Sequence, residues 1–172
     1  MPSVTISEKA EPRLIEPAVY RNGMARYAGH VQAVTTEWQG LRRGVTVTAA
    51  CSVSDDPATV LACLNAGNES NAIFEASGRF ALNTLAAHHQ ALARALAGFD
   101  RLPVEERFAL AEWTTLSTGA PILSDALVAF DCQLIDIRRM STHIVLFGQV
   151  VDLHFGPVNP ALVYLDRTFH AL

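Results

Sequence analysis

The residues best suited to chemistry in this chain lie between positions 41 and 70, LRRGVTVTAACSVSDDPATVLACLNAGNES. There a β-branched run (Val45, Thr46, Val47, Thr48) shrinks abruptly to Ala49, Ala50, Cys51 and Ser52, an uncommon choice for a strand that only fills a core. Side chains this small let a flat ligand lie against bare main chain. Further on, Asn65, Asn68 and Ser70 precede an apolar helical pattern (Ile73, Phe74, Ala76) that stops at Gly78. Such a helix start offers unpaired backbone N–H groups, amide and hydroxyl donors and the positive end of a dipole, a combination suited to phosphate. The same residues also suit an ordinary buried hairpin followed by a capped helix. Elsewhere no convincing Ser/His/Asp set and no paired carboxylates stand ready for nucleophilic or acid–base work.

Composition narrows the field further. Half of the 172 residues are hydrophobic and 17% are charged, so some apolar surface is expected to be covered, most simply by a second copy of the chain. A net charge of −4, a pI near 5.8 and the lack of any basic run argue against binding along a nucleic-acid backbone. Cys51, Cys63 and Cys132 occur in apolar, strand-like contexts without CxxC or Cys/His ligand spacing. Reduced, buried thiols are therefore expected in preference to zinc ligands or a disulfide framework. The opening MPSVTISEKAEPRLIEP has no apolar signal core, and no run approaches the ~20 apolar residues of a membrane helix. The expected setting is the cytoplasm, away from membranes.

The elements that must position these residues can be read in order. Residues 1–13 form an expected flexible lead-in, and residues 14–172 a single domain. A helix is expected over 14–28, a strand over 31–37, a turn at Trp38-Gln39-Gly40, then the organising hairpin of strands 44–50 and 58–65 around a Ser/Asp/Pro corner. A short helix ends at Gly78, a strand covers 79–85, and a helix over 88–98 is capped by Gly98. Residues 99–116 read as a surface excursion in which Glu105, Glu106 and Arg107 form a solvated face. Long strands follow over 126–139 and 143–153, and a last strand over 161–169. Many antiparallel-looking strands with few helices predict a mainly β fold, a β-barrel with helical decoration. No G-x-G-x-x-G follows the first strand, which removes the main sign of a Rossmann site.

Several separated segments, GVTVTAACSVSDDPATVLACLNAGNESNAIF, GRFALNTL, EERFALAEW, GAPILSDALVAFDCQL, HIVLFGQV and YLDRTFHAL, together resemble the short-chain NAD(P)H:flavin oxidoreductase family. These are the small flavin reductase components of two-component monooxygenases, such as those acting on 4-hydroxyphenylacetate or in pyrimidine breakdown. The resemblance spans residues 21–172. It implies an FMN-binding split β-barrel, a homodimer with flavin sites near the subunit interface, and reduction of FMN or FAD by NADH or NADPH. By the same resemblance Thr48, Ala49, Ala50, Cys51, Ser52 and Val53 contact the flavin ring, largely through main chain, and the segment from Asn65 through Asn68 to Ser70 holds its phosphate.

The match is incomplete at two places. Where the family often has a Ser and a Thr two residues apart, this chain has Asn68 and Ser70 with Glu69 between them. Ser141-Thr142-His143 replaces a Gly-Asp-His or Gly-Thr-His; His143 is kept, and the resemblance places it near the nicotinamide. Tyr164, Arg167 and Phe169 match a C-terminal strand that reaches the flavin site across the dimer. Hydride transfer between two stacked cofactors needs little from side chains beyond alignment, which suits a chain without a catalytic triad. Electrons then go to a partner monooxygenase as reduced flavin, or to a low-potential acceptor such as the Co(II) corrinoid cob(II)yrinic acid a,c-diamide. The alternative is a flavin- or haem-binding split-barrel module without turnover.

Overall fold

The computed structural model describes residues 14–172, so the expected lead-in over 1–13 lies outside the described residues. Helix α1 (Pro17–Ala25) begins on a proline at its first turn, where the missing N–H has no partner to lose. It is shorter than the expected 14–28 and buries none of its residues. After the two-residue strand β1 (Gly29–His30), β2 (Gln32–Trp38) and β3 (Leu41–Val47) form a hairpin. Its turn is Gln39-Gly40 with φ of 51° and 79°, the pair of positive angles that fits the twist of a two-residue hairpin.

The organising hairpin expected from the sequence is not there. Strand β3 pairs with β2, while the next strands, β4 (Ala50–Asp55) and β5 (Ala58–Asn65), pair with each other. The stretch that read as a Ser/Asp corner is thus itself a strand. Its polar residues are tolerated because β4 is the terminal strand of the sheet, where one edge and much of one face meet solvent.

The chain continues through α2 (Ala72–Ser77), β6 (Arg79–Thr84), α3 (Gln90–Leu96), α4 (Val104–Phe108), β7 (Trp113–Thr115) and β8 (Pro121–Leu123). Two long strands, β9 (Val128–Arg139) and β10 (His143–Phe155), follow, and the expected last strand is a hairpin of β11 (Leu162–Leu165) and β12 (Thr168–Ala171). Asp166 and Arg167 make that turn with φ of 48° and 62°. Lacking the Asn-Gly type of signal, it reads in sequence as unbroken strand.

Seven antiparallel strands form the main sheet in the order β3-β2-β6-β9-β10-β5-β4. Its two terminal strands are consecutive in the chain, joined by Thr48 and Ala49 alone. Three Cα steps reach at most about 11 Å, so the ends of β3 and β4 must lie close together and the sheet must roll up. The fold is mainly β, as expected, although among the described pairings no ladder closes β3 onto β4.

Inside the roll, Val34, Leu64, Phe74, Phe80 and Leu146 pack in one buried cluster. Gly148 makes room there, since a Cβ at that position would lie 2.5 Å from the Phe80 ring. A second cluster under α3 holds Leu85, Leu92, Phe108, Ile122 and Leu162. Gly44 permits this layer, because a Cβ on it would meet Leu96 Cδ2 at 2.7 Å. Of the thiols expected to be buried, Cys132 is, Cys63 is half-buried and Cys51 is exposed on the edge strand. No helix among the described residues is long and apolar enough to cross a membrane.

Candidate functional site

The link between the two sheet ends, Thr48 and Ala49, separates two cavities of about 610 Å³ each, with Cys63 common to both. Ala49 is held by its main chain, its carbonyl accepting from Cys63 N–H at 2.9 Å. One cavity is polar, its wall including Arg43, Asn65, Asn68, Ser70, Arg107 and His143. The other is apolar over most of its wall, with Met24, Tyr27, Leu61 and Tyr164 beside Ala50 and Cys51.

Most residues singled out in the sequence therefore converge. Thr48 and Ala49 face both cavities; Asn65, Asn68, Ser70 and His143 line the polar one; Ala50, Cys51 and Tyr164 line the apolar one. Three do not join them directly. Ser52 lines a separate cavity beside Gln32 and Phe130. Val53, further along β4, is 48% exposed and lines neither of the joined cavities. Phe169 stacks edge-on against Tyr164, ring centres 5.0 Å apart, and lines a smaller recess with Thr46 and Thr48.

The expected phosphate grip differs from its sequence reading. Helix α2 is only six residues long, and most N–H groups ahead of it are already committed. Gly67 N–H donates to Asn65 Oδ1 at 2.7 Å, Ser70 N–H to Asn68 Oδ1 at 3.2 Å, and Asn71 N–H to Asn68 O at 2.9 Å. Asx turns satisfy the donors that a free helix end would have offered. What the loop keeps on the cavity wall, among the described residues, is the side-chain amide N–H₂ of Asn65 and Asn68 and the Ser70 hydroxyl. Glu69 is exposed and is not part of the cavity wall.

Positive charge comes instead from Arg43, which the sequence reading passed over, and from Arg107, which it assigned to a solvated face. Arg43 projects from β3 on the same face as Val45 and Val47, and its Nε and Nη2 donate to Asn71 Oδ1 at 3.0 and 2.9 Å. Asn71 is buried and donates in turn to Asn65 O at 2.9 Å. Arg107, from α4, is half-buried and donates through Nε to Leu102 O at 2.6 Å. Burial, and then the nearby Arg107 charge, lower the proton affinity of Arg43 below that of an ordinary guanidinium. The period of two along β3 carried a signal for Arg43. None marked Arg107, which sits behind two exposed glutamates.

His143 opens β10 opposite Asn65 of β5. Its Nδ1 is 2.9 Å from Thr142 Oγ1, which leaves Nε2 without a partner among the described residues.

A second cluster of titratable groups lies apart, where His88 and His89 each place Nε2 2.9 Å from an Asp125 carboxylate oxygen. Ala86 N–H donates to Nδ1 of His89 at 3.1 Å, which keeps the imidazole proton on Nε2. The lone pair that a metal would take is thus absent from that nitrogen, and the trio reads as a structural tie.

Comparison with known proteins decides the assignment. Residues 24–172 match the family described as flavin reductase like domain. The chain belongs to the flavin reductase family. It is 44% identical over 168 residues, covering 98% of this chain and 92% of the relative, to a protein of Ancylobacter novellus named FMN reductase (NADH) RutF. To the 4-hydroxyphenylacetate 3-monooxygenase reductase component of Pseudomonas aeruginosa it is 36% identical, over 94% of each chain. The solved structure of flavin reductase HpaC complexed with NADP+ superposes with a TM-score of 0.81 at 26% identity, covering 91% of this chain and 98% of that one.

The joined cavities of this flavin reductase suit a flavin by their chemistry. A flavin nucleotide is an apolar plate carrying a polar, anionic tail, and the walls pass from largely apolar, with Arg21 and Arg167 among them, to polar, with Arg43 and Arg107, across Thr48 and Ala49.

Proposed function

We propose that this flavin reductase oxidises NADH at a flavin mononucleotide seated along residues 48–51, and that the reduced flavin leaves to serve a partner monooxygenase. The observation that carries this is the pair of cavities meeting at Thr48 and Ala49, one apolar and one polar. Support for the cofactor and the electron donor comes from relatives named as NADH-dependent FMN reductases, and for the acceptor from relatives named as monooxygenase components. When bound, the flavin ring supplies the hydride acceptor.

The chain's own residues do the positioning. Ala49 and Ala50 keep side-chain bulk away from the ring face, while Tyr164 and Leu61 wall the apolar side. Strand β4, as the terminal strand, keeps one row of backbone N–H groups unpaired, and such donors stabilise negative charge gathering on a nearby ring. From the rim of the polar cavity, His143 Nε2 is free to orient the nicotinamide amide or hold a proton.

A homodimer completes the proposal. Helix α1 buries nothing, yet Val19, Tyr20, Met24 and Tyr27 are exposed, as are Val151, Leu153 and Phe155 on β10. A second copy of the chain is the simplest cover for two such apolar stretches. The proposed setting is the cytoplasm, where thiols such as the three free cysteines stay reduced.

The test is anaerobic NADH oxidation, followed by loss of its absorbance, with FMN, FAD and a Co(II) corrinoid offered side by side and NADPH as the alternative donor. Rapid turnover with NADH and free FMN is expected. Flavin binding with no NADH consumption would instead establish a binding module.

A further inference from the structure

Arg43 and Arg107 reach the same polar cavity from different elements, strand β3 and helix α4. Among the described residues neither has a carboxylate within ion-pair distance, whereas Arg94, Arg138 and Arg139 each have one. Two half-buried guanidinium groups facing one cavity repel each other, and the lowered proton affinity of Arg43 reflects both its burial and that repulsion. Each is nonetheless fixed in place. Arg43 is anchored through Nε and Nη2 to the buried Asn71, and Arg107 through Nε to Leu102 O. Nη1 of Arg43 and both terminal nitrogens of Arg107 keep their donors, with the Asn68 amide and Ser70 hydroxyl on the same wall. Charge repulsion built into a cavity and held there by hydrogen bonds is relieved by an anion between the two cations.

We propose that Arg43 and Arg107 form a two-arginine clamp for the phosphate monoester of the bound flavin, tying β3 to α4 through the ligand. This rests on the reading of the joined cavities as the flavin seat, and it adds what that reading lacks, a source of positive charge. The loop over Asn65–Ser70 offers neutral donors only, and two of its N–H groups, those of Gly67 and Ser70, are taken by Asx turns. A phosphate monoester carries about −1.5 to −2 charges at neutral pH, and guanidinium forks hold such a group with geometric as well as electrostatic preference. The clamp makes the chain selective for phosphorylated flavin over riboflavin, which has the same ring and no phosphate. It also gives α4, part of the stretch that reads as a solvated excursion, a role in binding.

The experiment is a titration of the full chain with FMN and separately with riboflavin, each followed by quenching of flavin fluorescence. Wild type is compared with Arg107→Gln, Arg107→Lys and Arg43→Gln. Arg107 makes one backbone hydrogen bond, so Arg107→Gln is expected to fold; if Arg43→Gln does not, the Arg107 variants carry the test alone. Removing either guanidinium should weaken FMN binding roughly ten- to a hundredfold and leave riboflavin binding unchanged, with Arg107→Lys between wild type and Arg107→Gln. Equal loss for FMN and riboflavin would overturn the clamp, as would unchanged FMN affinity with a raised KM for NADH, which would give the arginines to the nicotinamide dinucleotide. Failure of the wild type to bind either flavin would sink the flavin seat itself and the clamp with it.

Discussion

His143 is the side chain on which turnover and binding should separate. It opens β10 on the wall of the polar cavity with Nε2 unpaired among the described residues, and burial does not lock it in place. A hydrogen bond from such a group to the nicotinamide amide contributes on the order of 1 kcal/mol. His143→Ala should therefore raise the KM for NADH roughly fivefold while the affinity for FMN stays within about twofold. Steady-state kinetics and a flavin titration check this, and parallel losses in both would give His143 a packing role. At this scale the sequence was most legible where residue size carried the message. Ala49, Ala50 and Cys51 were marked by being too small for their place in a strand. Arg107 was not legible, because a long side chain leaves its charge several ångströms from its own backbone, and only tertiary packing sets where that charge arrives. Val53 lies two residues beyond Cys51, the last residue of the 48–53 run on the wall of the apolar cavity, and lines neither joined cavity.

Among the elements, α1 is the one that a single chain leaves unexplained. Its first turn is well formed around Pro17, yet it buries no residue and shows Val19, Tyr20 and Met24 to solvent, with Tyr27 exposed just beyond its end. Helices this short take most of their stability from packing rather than propensity. A second chain covering that face is the expected source, and sedimentation should give twice the 18.6 kDa chain mass at micromolar concentration. Tyr20→Asp combined with Val19→Asp should shift the population toward single chains, and a wild type that sediments as one chain would contradict the homodimer. Local chemistry decided which element boundaries could be read. Gln39-Gly40 was expected as a turn because glycine accepts positive φ, whereas Asp166-Arg167 turns just as tightly without a glycine and was missed. The β4 strand was hidden by its Ser and Asp residues, whose placement at a sheet edge is a property of the assembled sheet rather than of the segment.

For the molecule as a whole, the deciding feature is that the first and last strands of a seven-strand order are joined by two residues. That link forces the sheet to roll, and the roll places Thr48 and Ala49 between an apolar and a polar cavity. Fold class could be read from the abundance of strands, but strand order could not, because pairing depends on long-range contacts that leave no period in the sequence. The central claim, that a flavin ring lies on main chain bared by small side chains, is tested most directly by titrating FMN into wild type and Ala50→Leu. Ala50 faces the apolar cavity, so a leucine there should occupy the place of the ring. Wild type should bind one FMN per chain, and Ala50→Leu, with its melting temperature near that of wild type, should bind none at the same concentrations. Stoichiometric FMN on a folded Ala50→Leu variant would contradict the account.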